Sequence, residues 1–334
     1  MNRRDFLSRS AVSALALKPS KTLGPVEGMA RGQAAGPKEQ SKTRSGVEGQ
    51  AIFRQVRDGR GLAGVDAVDT HAHFHEIFGK LFWPRSAEAL VADANHCGIG
   101  LTIASPVAGY VATSGEQLKA AHDACVKAVE KYRESLRAYL VFQPHLLKTS
   151  IEEMKRILEP GTPFVGFGEV HGAVDQYAAD GPNFQPLFEF CNEHRLHVLY
   201  HVWGGIRPVA RTVEKYPNMT LAMAHMAFWN GATAEEVIAI LKEHSNLYVD
   251  TCSSTWPFGY LERFVRAVGA EKILFATDCT YLAIGPQIGK VAFANISEDE
   301  KRLIFGGNAR RIFGSRLPAR TSLSARKAFP PFAA

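Results

Sequence analysis

The sequence predicts an α/β protein, a (β/α)8 or TIM barrel with disordered N- and C-terminal extensions. Three observations point there. Between residues 65 and 314, eight short β-rich runs alternate with segments whose apolar residues recur every three to four positions. That alternation implies a parallel sheet covered by helices. The stretch is 250 residues long, the usual size of such a barrel. The first run ends in His71-Ala72-His73, where a doubly wound open sheet, the competing fold, usually carries a Gly-rich phosphate loop.

The expected strands are 65–70, 99–104, 136–142, 164–169, 197–201, 220–225, 247–251 and 273–278, each dominated by Val, Ile, Leu, Thr or aromatic residues. Helical spacing of apolar residues predicts helices over 87–94, 118–132, 184–193 and 235–242. Glu152-Glu153 and Glu235-Glu236 read as helix openings, where negative charge suits the macrodipole. His122, His194 and His244 fall within or at the ends of helical segments and read as solvated or capping residues.

Lys and Arg number 39 against 33 Asp and Glu, a net charge of +6. The surplus is not spread evenly. Residues 1–50 carry a net +5, residues 315–334 a net +4, and the stretch between them a net −3. Both ends lack apolar periodicity and are rich in Gly, Ala, Ser, Pro and Lys, which reads as disorder. The domain organisation expected is therefore a signal and linker over 1–50, a barrel over 51–314 and a basic flexible tail over 315–334. A mildly acidic barrel argues against nucleic acid as a partner. No apolar run reaches the roughly 18 residues of a membrane-spanning helix, so no stable membrane insertion is expected.

The chain opens with Arg3-Arg4-Asp5-Phe6-Leu7, followed by the apolar run Ala11 to Leu17. A positive region before an apolar one is the layout of an export signal, and the string resembles the bacterial twin-arginine signal. That resemblance implies passage of a folded protein through the twin-arginine export machinery to the periplasm or beyond. The five cysteines lie far apart with no C-x-x-C pair, which excludes a zinc knuckle and argues against a disulfide framework.

Histidines and acids gather at the ends of the expected strands. His71 and His73 follow the first, Glu169 closes the fourth, His201 the fifth, His225 the sixth and Asp278 the eighth. In a parallel barrel these ends meet on one face, where active sites of the fold are built. Side chains two apart on a strand point the same way, so His71 and His73 converge on one point, an arrangement suited to a divalent metal and zinc first of all. His201 and Asp278 extend that set. His225 is placed to take a proton from metal-bound water or to polarise a substrate oxygen, and Asp278 to bind metal and accept a proton. Glu169, flanked by Gly166 and Gly168, either bridges to a second metal or orients a ligand. One metal ion or two are both admissible. His75, Glu76, His145, His171 and Trp203 lie just past strand ends and read equally as substrate contacts or loop residues, and Phe82, Trp83, Trp203, Phe228, Trp229 and Trp256 suggest an aromatic lining.

Val68-Asp69-Thr70-His71-Ala72-His73 resembles the strand 1 signature of the amidohydrolase superfamily. His201, His225 and Ala276-Thr277-Asp278 match its strand 5, 6 and 8 positions, and Gly306-Gly307-Asn308-Ala309-Arg310-Arg311 looks like the closing helix of its "amidohydrolase 2" branch. The resemblance implies a metal-dependent barrel enzyme in which His71, His73, His201 and Asp278 hold the metal and His225 assists catalysis. Glu169 resembles branches with a carboxylate on strand 4. Cys279-Thr280 stands where this branch commonly has an aromatic residue and then Pro.

The expected activity is hydrolysis of an amide, ester or lactone of a small molecule by metal-activated water, with His225 and Asp278 moving the protons. The alternative is a carbon–carbon lyase, a non-oxidative decarboxylase of an aromatic or unsaturated acid, for which Arg207 is the one basic candidate near a strand end. A non-catalytic zinc module leaves His225 unexplained, since structural zinc sites are closed by four ligands. A homo-oligomer is compatible with the sequence.

Overall fold

The computed structural model of the protein describes residues 46–74, 86–171, 178–202, 205–230, 232–253 and 256–319. Of the signal and linker expected over 1–50, residues 1–45 lie outside the described residues, and so do 320–334 of the tail expected over 315–334 and His75, Glu76, Phe82, Trp83 and Trp203.

Eight parallel strands follow one another around the sheet: β1 (Val68–Phe74), β2 (Leu101–Pro106), β3 (Leu136–Leu140), β4 (Phe164–His171), β5 (His197–His201), β6 (Thr220–Met223), β7 (Leu247–Asp250) and β8 (Ile273–Leu274). Closure from β8 back to β1 falls to the chain beyond β8. Thr70 N donates to Phe275 O (3.0 Å) and Asp278 N to His71 O (2.7 Å), and Ala72 bridges to Cys279 in parallel fashion.

Among the described residues the α-helices of five residues or more are α1 (Ala51–Arg57), α2 (Ala87–His96), α3 (Gly115–Lys131), α4 (Leu147–Glu153), α5 (Gln185–Glu193), α6 (Ile206–Lys215), α7 (Ala234–Glu243), α8 (Tyr260–Val268), α9 (Ile284–Ala292), α10 (Glu298–Arg302) and α11 (Asn308–Phe313). The acidic pair Glu235-Glu236 does open a helix, since Thr233 and Glu236 form a reciprocal capping box on α7. Glu152-Glu153 does not, because it ends α4.

Strand residues alternate between two apolar clusters, as the pleat requires. Outward residues such as Leu140, Val198, Met223 and Val249 pack beneath the helices. Inward residues Val68, Ile103, Tyr139, Val165, Leu199, Ala222, Tyr248 and Leu274 fill the barrel, closed below by Ala309 and Phe313 of α11. Leu317 is buried in the same cluster, so packed structure extends past residue 314. A register shift between Asp69 and Ala72 in β1 carries the functional consequence. A one-residue slip turns side chains to the other face, and it is His71 and His73 that then join Val68 on the inner side.

Candidate metal centre

At the open end of this interior the expected residues come together. His71 and His73 are fully buried, with their Nε2 atoms 3.0 Å apart. Asp278 Oδ1 lies 3.1 Å from His73 Nε2 and 3.8 Å from His71 Nε2. Glu169 is the hub. Its Oε2 lies 3.5 Å from His71 Nε2, 3.8 Å from His73 Nε2 and 3.0 Å from His171 Nε2. Its Oε1 meets His201 Nδ1 at 2.6 Å and His225 Nε2 at 3.6 Å. His201 therefore joins the strand 1 pair through Glu169. Gly168 makes room for this hub, because a Cβ there would lie 2.8 Å from the Cβ of Leu199 on β5.

His225 and Asp278 lie beyond their strands. β6 ends at Met223, and His225 stands in the turn that follows, at φ 59° with Met226 at 50° and Ala227 at 57°; Asp278 has φ 55°. Non-glycine residues in this left-handed region cost of order 1–2 kcal/mol each and persist only where surroundings hold them. Here the His225 N–H donates to Asp250 Oδ1 (2.8 Å) and the Asp278 N–H to the His71 carbonyl (2.7 Å).

The charges balance within the cluster. Burial pushes the Glu169 carboxyl up, but the imidazoles of His201, His71 and His171 outweigh it and hold the acid well below the usual carboxylate range. Asp278 is lowered in the same way, burial being overcome by His73, His71 and His225. Burial opposes a charged ring at His71 and His225, yet Cys252 together with Glu169 and neighbouring acids raises both well above the ordinary value. Burial prevails at His73 and His201, which are lowered.

The donor set fits a divalent cation. His71, His73 and Glu169 offer ligand atoms within 4.8 Å of one another, and so do Glu169, His201 and His225. The His71 Nδ1 is taken up by Asp250 Oδ2 (2.8 Å), which leaves Nε2 as the ligating atom and fixes the ring, the usual arrangement around a metal-bound histidine. Imidazole nitrogens mixed with carboxylate oxygens suit zinc and manganese alike.

Three participants were not anticipated. Asp250 is the last residue of β7, fully buried and bonded to His71 and to the His225 backbone. The strand-end pattern that marks Glu169 applies to it equally. Cys252 places its Sγ 3.3 Å from His71 Nδ1 and 3.2 Å from His225 Nδ1. Tyr110, in the helical turn after β2, accepts from Glu169 N (2.7 Å) and lies 3.4 Å from His73 Nδ1. Local sequence carries no mark of the last two.

Other expectations are corrected. His122 is neither solvated nor a cap: it is fully buried, its Nδ1 2.8 Å from Glu153 Oε2 and its Nε2 accepting from Val141 N (3.1 Å). The burial that encloses this hydrogen-bonded pair is tertiary, contributed by α3 and α4 closing on the strand below. Arg207 is exposed in the first turn of α6, where its charge acts on Glu236. His171 belongs to the cluster, stacked on His201, whereas His145 bonds the Ala112 carbonyl. None of the five cysteines forms a disulfide.

A family model described as amidohydrolase matches residues 68–315. The chain belongs to the amidohydrolase family. None of the curated proteins matches it. Solved structures do resemble this amidohydrolase. A 5-carboxyvanillate decarboxylase from Novosphingobium aromaticivorans, complexed with manganese and 4-hydroxy-3-methoxy-5-nitrobenzoic acid, superposes with a TM-score of 0.62 at 15% identity, covering 76% of this chain and 98% of that one. A dihydroxybenzoic acid decarboxylase from a Polaromonas species, with bound manganese and the inhibitor 2-nitroresorcinol, gives 0.58 at 17% identity over 79% and 100%. A 2,6-dihydroxybenzoate decarboxylase from Rhizobium gives 0.56 at 16% identity over 75% and 98%. At these identities the likeness is one of fold. Among the described residues no helix is long and apolar enough to cross a membrane.

Proposed function

We propose that this amidohydrolase is a metal-dependent, non-oxidative decarboxylase of an aromatic carboxylic acid. The observation that carries the reading is the likeness in fold, over nearly the whole length of each neighbour, to decarboxylases of substituted benzoates. The buried cluster of imidazoles and carboxylates is consistent with it. The reading reverses the order of the two activities expected from the sequence, where hydrolysis came first. Manganese in two of those neighbours makes manganese a candidate beside zinc.

His71, His73, His201, Asp278 and Glu169 are the residues that would hold the cation. Its positive charge, when bound, draws in a substrate carboxylate and steadies negative charge as it develops. In the reaction the bond between ring carbon and carboxyl carbon breaks, carbon dioxide leaves, and the ring carbon keeps the electron pair and takes a proton. His225, whose Nε2 lies 3.6 Å from Glu169 Oε1, and Asp278, bonded to His73, are the groups placed to manage that proton. Glu169 sits between His201, His171 and the strand 1 pair and keeps the imidazoles in register. No water is consumed in this reaction, so a cluster buried away from solvent suits it.

The test is carbon dioxide release from a panel of hydroxybenzoic acids by protein reconstituted separately with manganese and zinc, and again after complete chelation. Metal-dependent release supports the proposal. Absence of release with both metals, alongside cleavage of an ester, amide or lactone, would establish hydrolysis instead, the second reading that the same residues support. Export by the twin-arginine route is proposed from Arg3-Arg4-Asp5-Phe6-Leu7 alone, and Arg3→Lys together with Arg4→Lys should strand the protein in the cytoplasm of a bacterial host.

A further inference from the structure

Asp250 touches more of the site than any local reading of β7 suggests. Its two oxygens are divided between two imidazole-bearing residues. Oδ2 lies 2.8 Å from His71 Nδ1, while Oδ1 accepts from the His225 backbone N–H (2.8 Å) and from Cys252 Sγ (3.1 Å). The residue is fully buried, so these bonds have no competition from water and gain from the low local dielectric. His225 stands in a left-handed backbone conformation, and the bond from its N–H is one of the contacts that hold it there.

The loop carrying these contacts is itself tied down. Lys290 Nζ donates to Thr251 O (2.7 Å) and Ser253 O (2.5 Å) while lying 4.1 Å from the Trp256 ring centroid. Oδ1, Oδ2 and the backbone at Thr251 and Ser253 are thus held from separate elements, and the carboxylate cannot rotate without breaking at least one bond.

We propose that Asp250 is a positioning residue that sets both ends of the site at once: it keeps His71 in the tautomer that presents Nε2 to the metal, and it holds His225 at the angle at which its ring reaches Glu169. The inference rests on the reading of His71 as a metal ligand and is independent of which reaction the site performs. An asparagine at 250 keeps the shape but must turn an N–H₂ toward either the His71 Nδ1–H or the His225 N–H, so one donor meets another.

The experiment measures manganese binding to the metal-free protein by equilibrium dialysis, comparing the parent, Asp250→Asn and His71→Ala. Asp250→Asn should weaken binding by about 10–100-fold, the range expected when a partner of a ligating histidine is lost. If Asp250→Asn lowers thermal stability but binds manganese like the parent while His71→Ala loses it, the residue is structural only and the proposal is wrong. If His71→Ala also binds like the parent, the ligand assignment fails first. Should Asp250→Asn not fold, nitrogen-15 spectra of the zinc-loaded parent decide the matter: an exchange-protected proton on His71 Nδ1 supports the proposal, and a proton on its Nε2 overturns it.

Discussion

Replacing Glu169 by Gln tests the centre of the site directly. The side chain keeps its shape, loses its charge and exchanges one acceptor for a donor. In the parent, five imidazoles converge on the carboxylate, the two shortest contacts being 2.6 Å to His201 Nδ1 and 3.0 Å to His171 Nε2. A unit charge about 4 Å from a cation contributes about 4 kcal/mol at an effective dielectric near 20. Part of this is offset because the neutral amide costs less to bury. A net loss of about 3 kcal/mol corresponds to roughly 100-fold weaker metal binding. The assay is manganese uptake by metal-free protein at neutral pH, with elemental analysis of the dialysed samples. Unchanged affinity would refute the reasoning and leave Glu169 as a scaffold for the imidazoles alone. The same variant has an acid signature. Because Glu169 is depressed below its ordinary 4.5, its contribution to stability is present above that value and lost as pH falls through the folded-state value. The stability gap between metal-free parent and Glu169→Gln should therefore narrow on acidification, and a constant gap would contradict the assigned direction.

Two further predictions concern the scaffold. Gly306, where the chain enters α11, lies against the Asp66 carbonyl oxygen just before β1 begins, and a Cβ would overlap it; Gly306→Ala should cost about 2–3 kcal/mol, seen as a melting-temperature drop of roughly 5–10 °C, and an unchanged melting temperature would show that the backbone there yields. Lys301 is fully buried, donating to Gln50 Oε1 (2.5 Å) and Ala292 O (2.8 Å), and burial lowers it from 10.5 to about 8. Between those two values the unfolded chain holds a proton that the folded chain lacks, so this group makes stability rise with pH across the window; Lys301→Met should abolish about 1–2 kcal/mol of that rise after allowance for solvent screening, as read from urea unfolding on either side of the window.

Much of the barrel was legible because its signals are local and repeated. Each β-rich run maps onto an observed strand, and 197–201 coincides with β5 residue for residue. The strand ends were less legible. β6 and β8 stop short of the expected limits, and beyond them His225 and Asp278 adopt left-handed backbone conformations, held by bonds to Asp250 and His71 from distant parts of the chain. His122 and Glu153 were misread for a related reason. Position on a helix says which face a residue occupies, but only the neighbouring helix and strand reveal whether that face is buried.

By itself, the sequence determined the class of fold and the set of residues at the mouth of the barrel, since strand periodicity and the placement of His and Asp at strand ends are properties of short segments. The tertiary structure decided how those residues are joined: Glu169 as the shared partner of the imidazoles, and Asp250, Cys252 and Tyr110 as the groups that orient them. Hydrogen bonds between residues some 180 positions apart, such as His71 with Asp250, leave no trace in local pattern. The register shift in β1 completes the difference, because it is a property of pairing with β2 and it turns the two histidines inward.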